Sequence, residues 1–149
     1  MIYDLISDLY DKVNGDVDYS AWADKVEGCF ERYLPSKPEL LLDLACGTGN
    51  IPLPLSRRGY EMIGVDRSFD MLSIAREKAQ DLGLDAMFLE QDLKNLDLYG
   101  SCDAFLCMID GFNYILNPNS LYKIARKCYF ICIILCFFIK KIPCINTTF

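Results

Sequence analysis

Leu40 to Gly49 reads Leu-Leu-Leu-Asp-Leu-Ala-Cys-Gly-Thr-Gly, an apolar run carrying one acid that ends on two glycines flanking a threonine. A run that is apolar without alternation has to be covered on both faces, the situation of a strand inside a parallel sheet. The glycines let backbone approach a ligand where any Cβ would collide. Such a loop lies at the carboxyl end of its strand, where open α/β sheets bind nucleotide-like ligands.

The flanking pattern supports that reading. Leu5, Ile6, Leu9, Tyr10 and Val13 recur at helical spacing, and Asn14-Gly15 stops this first helix. Asp18 or Ser20 caps a second, with Trp22, Val26, Phe30 and Tyr33 on its apolar face, and Pro35 and Pro38 end it. Strand and helix then alternate: a strand over Leu40–Ala45, a short helix over Asn50–Arg58 closed by Gly59, and a strand over Glu61–Val65. A helix capped by Ser68 follows, with Met71, Leu72, Ala75, Ala79 and Leu82 inward and Gly83 at its end. Strands over Ala86–Leu89 and Ala104–Ile109 come next, and Asn117-Pro118-Asn119 opens a helix that runs through Lys127. Strict alternation predicts βαβ crossovers and a parallel sheet covered on both sides, an α/β fold of Rossmann-like type.

With 149 residues the chain suits one domain with a real core, and its net charge of −6 argues against duplex nucleic acid, which requires a basic stripe. A small or cationic ligand suits it better. Met1-Ile2-Tyr3-Asp4 shows no basic region followed by an apolar one, so no secretory signal is expected. The eight cysteines form no C-x-x-C pair and there is no histidine, so no metal site is expected. They read as small buried hydrophobes in a reducing cytoplasm.

Two cofactors are compatible with a glycine loop here, a dinucleotide or S-adenosyl-L-methionine. The dinucleotide fingerprint needs a third glycine three residues after the second, where this chain has Pro52, with Pro54 close behind. Prolines at a helix start remove amide donors that would otherwise serve a phosphate. S-adenosylmethionine has no anionic bridge. Three acids fall at successive strand ends. Asp43 is placed to order the loop or receive the ammonium of the methionine tail. Asp66 is placed to accept from both ribose hydroxyls, and Gln91-Asp92 from the adenine amino group. Leu93 offers an amide to a ring nitrogen and Met71 a surface for the base. Each acid alone also reads as a helix cap or turn former.

With these residues in view, the chain resembles the class I S-adenosylmethionine-dependent methyltransferases, in particular small bacterial methyltransferase-domain proteins. Asp43-Leu44-Ala45-Cys46-Gly47-Thr48-Gly49 is similar to their first motif, in a variant with cysteine at the middle glycine; Asp66-Arg67-Ser68 with Met71-Leu72 resembles the second, and Gln91-Asp92-Leu93 the third. The resemblance implies that Ala45, Gly47, Gly49, Arg67 and Met108 join the cofactor site, Met108 at the end of the fourth strand. It implies an aromatic lid of Tyr3, Tyr10, Tyr19 and Trp22 on the N-terminal helices. It likens Asp110 to Tyr114 to the loop after the fourth strand. It covers residues 1 to about 127. Residues 1–38 are then lid helices and 39–127 an incomplete Rossmann-like cofactor domain.

Residues 128–149 change character, rich in Phe, Ile, Cys and Lys without helical or alternating pattern. The Pro-Gly-Gly turn, fifth strand and closing strands of the family are not seen. The tail is expected to be aberrant, an out-of-frame translation of AT-rich DNA, and its uncharged core is short of the roughly 18 residues a membrane span needs. The expected activity is methyl transfer to a small-molecule acceptor. The alternatives are a non-catalytic cofactor-binding remnant and an NAD-linked oxidoreductase. No catalytic residue is assigned; if the acceptor must lose a proton, Asp110 or a tyrosine has to take it.

Overall fold

The computed structural model describes residues 16–108 and 117–131. The expected first helix with Tyr3 and Tyr10, the segment Ile109 to Tyr114 with Asp110, and residues 132–149 lie outside the described residues.

The order of elements is α1 (Tyr19–Tyr33), β1 (Leu40–Leu44), α2 (Pro52–Arg57), β2 (Glu61–Asp66), α3 (Phe69–Asp81), β3 (Ala86–Glu90), a 3-10 turn (Leu93–Asn95), β4 (Ala104–Leu106) and α4 (Pro118–Ile131). The four strands form one sheet in the order β3-β2-β1-β4, every pair parallel. β1 is hydrogen-bonded on both edges, with Leu42 opposite Ile63 of β2 and Phe105 of β4. This is why its sequence is apolar throughout: Leu41, Leu42 and Leu44 are all buried, each contributing roughly 1.5–3 kcal/mol of transfer free energy.

Side chains alternate across β1. Leu41 joins Ala23, Val26, Phe30, Leu55 and Met62 under α1 and α2. Leu42 and Leu44 join Val65, Phe105, Cys107, Ile124 and Cys128 toward α4. A third cluster seats α3 through Leu72, Ala75 and Ala79 on Cys46, Leu53 and Phe88. Asp103 closes the amino end of the sheet: its Oδ2 accepts from the amides of Glu39 and Leu40 at 2.7 and 2.9 Å.

Each element expected among the described residues is found, with differences at the ends: the fourth strand stops at Leu106 and the short helix starts at Pro52 rather than Asn50. Tyr33 and Leu82, expected inside, are exposed. Tyr33 is the last residue of α1 and Leu82 caps α3, where neither helix has a neighbour to cover it. The last helix continues past Lys127 to Ile131, and Cys128 packs into the core, so the change of composition at residue 128 does not coincide with the end of the helix. Replacing Phe105, 1% exposed, with alanine is expected to cost about 3–5 kcal/mol. Tyr99→Ala, at a 97% exposed side chain, should cost almost nothing; urea denaturation of the two variants tests the difference.

Candidate cofactor site

The chain leaves β1 through three left-handed residues, Ala45 (φ 61°), Gly47 (φ 55°) and Gly49 (φ 81°). Two of them require glycine for different reasons. A Cβ on Gly49 would stand 3.2 Å from the Ala75 Cβ and 3.3 Å from Leu53, so this position lets α3 close on the loop. A Cβ on Gly47 would meet nothing within 4 Å, so here the left-handed backbone is the only constraint. Ala45 takes the same conformation with a side chain, which costs on the order of 1–2 kcal/mol.

The loop is held by β2. Asp66 accepts from the Gly47 amide through Oδ2 and from the Ser68 amide through Oδ1, both at 2.9 Å. Ser68 then caps α3 by accepting from the Met71 amide at 3.3 Å. The amide of Gly49 donates to the Cys46 carbonyl at 3.1 Å.

α2 starts with proline at its first and third positions, so neither has an amide proton, and the amide of Leu53 between them donates to the Gly49 carbonyl at 3.0 Å. The amides of Gly47, Gly49 and Leu53 therefore all have acceptors inside the protein. None of these three amides, nor either proline, offers a free donor to a diphosphate.

Above this loop lies an open cleft of about 340 Å³, mouth included, lined by Tyr19, Asp43, Ala45, Cys46, Gly47, Thr48, Asn50, Ile51 and Met108. Asp43 is 2% exposed and, among the described residues, its Oδ1 has no hydrogen-bond partner. Burial, and secondarily the neighbouring Asp66 carboxylate, hold its pKa well above the usual carboxylate range. Burial likewise pushes the Cys46 thiol up, with the two carboxylates adding to the shift, so this cysteine is no nucleophile.

Of the residues expected from sequence, the cleft gathers Tyr19, Asp43, Ala45, Gly47 and Met108, with Asp66 and Gly49 directly behind it. Trp22 packs against the core with the Lys25 ammonium 4.4 Å from its ring centre, and does not line the cleft. Arg67 is exposed, and Met71 is half-buried in the first turn of α3. Gln91 does not line the cleft: its Oε1 accepts from the Asp97 amide and its Nε2 donates to the Asp97 carbonyl, both at 2.8 Å, which pins the loop after β3. Asp92 caps the 3-10 turn, accepting from the Lys94 amide at 2.9 Å, and Leu93 packs on the α4 side of the core. Tyr10 lies outside the described residues. The sequence reading passed over Thr48, Asn50 and Ile51 as site residues. The signal for them was position alone, since a loop this short brings each of its residues to the strand tip. Asn50 accepts from the Lys78 ammonium at 3.0 Å.

Residues 41–132 match the family model of the methyltransferase domain. The chain belongs to that family. It is 32% identical over 130 residues to YqeM of Bacillus subtilis, covering 87% of this chain and 50% of that protein. It is 37% identical over 124 residues to a demethylmenaquinone methyltransferase of Thermus thermophilus, covering 81% of this chain and 56% of that protein. Among solved structures it is similar to an S-adenosylmethionine-dependent methyltransferase of Clostridium acetobutylicum, with 34% identity and a TM-score of 0.75 over 92% of this chain and 56% of that one. The chain thus spans about half the length of the curated relatives it matches. The α/β architecture expected from sequence agrees with these methyltransferases.

Two measurements follow from this geometry. Ala45→Gly removes the left-handed strain and is expected to raise the thermal midpoint, by about 1 kcal/mol of stability at most; an unchanged or lower midpoint would show the strain to be absent. Because the Asp43 pKa is higher folded than unfolded, the folded state binds the extra proton, and stability falls as pH rises from about 4 through the folded-state value. Asp43→Asn should therefore stabilise the protein, with a gain that grows over that window and then levels off. Urea denaturation at several pH values checks it.

Proposed function

We propose that this chain binds S-adenosyl-L-methionine and belongs to an enzyme that transfers its methyl group to a small-molecule acceptor. The observation that carries the reading is the cleft itself. It pairs a buried carboxylate whose Oδ1 has no partner among the described residues with a loop whose Gly47 and Gly49 amides are already spent and a helix start with proline at positions 52 and 54. That chemistry suits a ligand with an ammonium and no diphosphate. When bound, the cofactor would supply a methyl group on a sulfonium, open to in-line attack by the acceptor with S-adenosylhomocysteine as leaving group.

Asp43 would receive the ammonium end, which relieves its burial as a lone carboxylate. Asp66 has spent one lone pair of each oxygen on Gly47 and Ser68 and keeps a second on each for ribose hydroxyls. Asp92 likewise retains capacity for an adenine amino group, and Met71 a flank for the base. Met108 and Ile51, buried and apolar at the cleft, exclude water from the sulfonium, and Tyr19 covers it from α1. The small acceptor is favoured by the net charge of −6 and by the demethylmenaquinone methyltransferase among the relatives. Cys29 and Cys46 are free thiols, which supports a reducing, cytoplasmic setting. Among the described residues no helix is long and apolar enough to cross a membrane. The organisation into lid helices and cofactor domain is part of the same proposal, with the domain carried to Ile131 at the end of α4.

Calorimetric titration tests the reading. S-adenosylhomocysteine should bind while NAD does not, and Asp43→Asn should weaken the first by roughly tenfold, the scale of one charge-assisted hydrogen bond. NAD binding, or undiminished affinity in the Asp43 variant, would sink it.

A further inference from the structure

Arg58, which caps the far end of α2, grips three successive levels of α1. Its Nη2 donates to the Ser20 carbonyl at 3.0 Å and the Ser20 hydroxyl at 3.1 Å. Its Nη1 reaches Asp24 Oδ1 at 2.7 Å and Glu27 Oε2 at 2.5 Å. Ser20, Asp24 and Glu27 fall on one face of the helix, at the spacing that stacks side chains one turn above another. The Glu27 carboxylate is held in turn by the Tyr60 hydroxyl, which donates to Oε1 at 3.1 Å. Burial and that bond push the Tyr60 pKa up to about 12, so it remains a neutral donor. A single exposed ion pair is worth little, but this planar fork has four acceptors and is only 24% exposed.

The geometry has a consequence for the cleft. Ser20 follows Tyr19, the first residue of α1 and the one that α1 contributes to the cleft lining. The α1–α2 junction also includes the α1 N-cap, where Asp18 accepts from the Ala21 amide at 2.9 Å. That cap settles the start of the helix but does not attach it to α2; Arg58 does.

We propose that Arg58 is a positioning residue for the cofactor site: by fastening the first two turns of α1 to α2, it fixes Tyr19 over the cleft. Arg58 itself is not among the cleft residues and acts only through α1. The proposal rests on the cofactor reading above. A guanidinium is required because a lysine ammonium cannot fork between a carbonyl, a hydroxyl and two carboxylates at once.

The experiment is a double-mutant cycle on S-adenosylhomocysteine affinity, with Trp22 as an internal reporter. Trp22 is the chain's single tryptophan and sits on α1. Arg58→Ala is expected to shift Trp22 emission to the red and to weaken S-adenosylhomocysteine by roughly fivefold to tenfold, with Arg58→Lys intermediate in both. In a Tyr19→Ala background the same Arg58 change should alter affinity less than about twofold, because its route to the cleft is gone. Equal losses in both backgrounds, an unshifted Trp22 spectrum, or a lysine variant identical to the alanine one would overturn the proposal. A merely stabilising ion pair moves the thermal midpoint but produces no such coupling. Should Arg58→Ala fail to fold, Ser20→Ala with Asp24→Ala removes the hydroxyl and the carboxylate that Arg58 meets in the first two turns, leaving only the Ser20 carbonyl there, and the same coupling to Tyr19 is required. Failure of the unsubstituted protein to bind S-adenosylhomocysteine is seen before any variant is compared, and strikes the cofactor reading rather than the role of Arg58.

Discussion

The carboxylate of Asp66 is the tie on which the site depends. It joins the end of β2 to the loop after β1 and to the start of α3, accepting one backbone amide from each side at 2.9 Å. Bonds from amides to an ionised acceptor are about twice as strong as neutral ones, and here they restrain a loop with two glycines, which loses more conformational freedom on ordering than any other composition. Once Gly47 is held, Gly49 comes to rest against Ala75 of α3, and α2 leaves the loop in the only direction that lets Leu53 reach back to the Gly49 carbonyl. Sheet, loop and two helices are thus set by one side chain.

Much of this fold is legible in the sequence because its pieces follow simple periods. The unbroken Leu40–Leu44 run could be satisfied only between two strands, and Ser68 and Asp18 announce the helices they cap. The site is legible where function coincides with a strand tip, as at Asp43, Gly47 and Met108. It is illegible where a side chain answers to something distant in the chain. Gln91 looks like a ligand residue by position, yet its amide is taken by the backbone of Asp97. Nothing near Asp103 marks it as an acceptor for amides more than sixty residues earlier. Arg58 reads as one basic residue of a helix end until α1 is placed beside it. Ala45 reveals its left-handed backbone only in three dimensions.

Asp43 and Asp66 share the tip of the sheet but live under opposite conditions. Asp66 is half-exposed and its oxygens are met by amides; Asp43 is buried with one oxygen unmet among the described residues. Burial penalises a charge on Asp43. A buried acid held this way is a cost that folding alone has no reason to bear.

The Pro-Leu-Pro start of α2 reaches beyond anion selectivity. Pyrrolidine rings at positions 52 and 54 narrow the range of shapes open to the denatured chain, each by about 0.4–1 kcal/mol in compatible backbone. They also set the helical torsion in advance for an element of six residues, far too short to nucleate by itself. Rigidity of the strand-to-helix corner and the loss of two amide donors at its start thus share one covalent origin, and restoring those donors by substitution would surrender the rigidity.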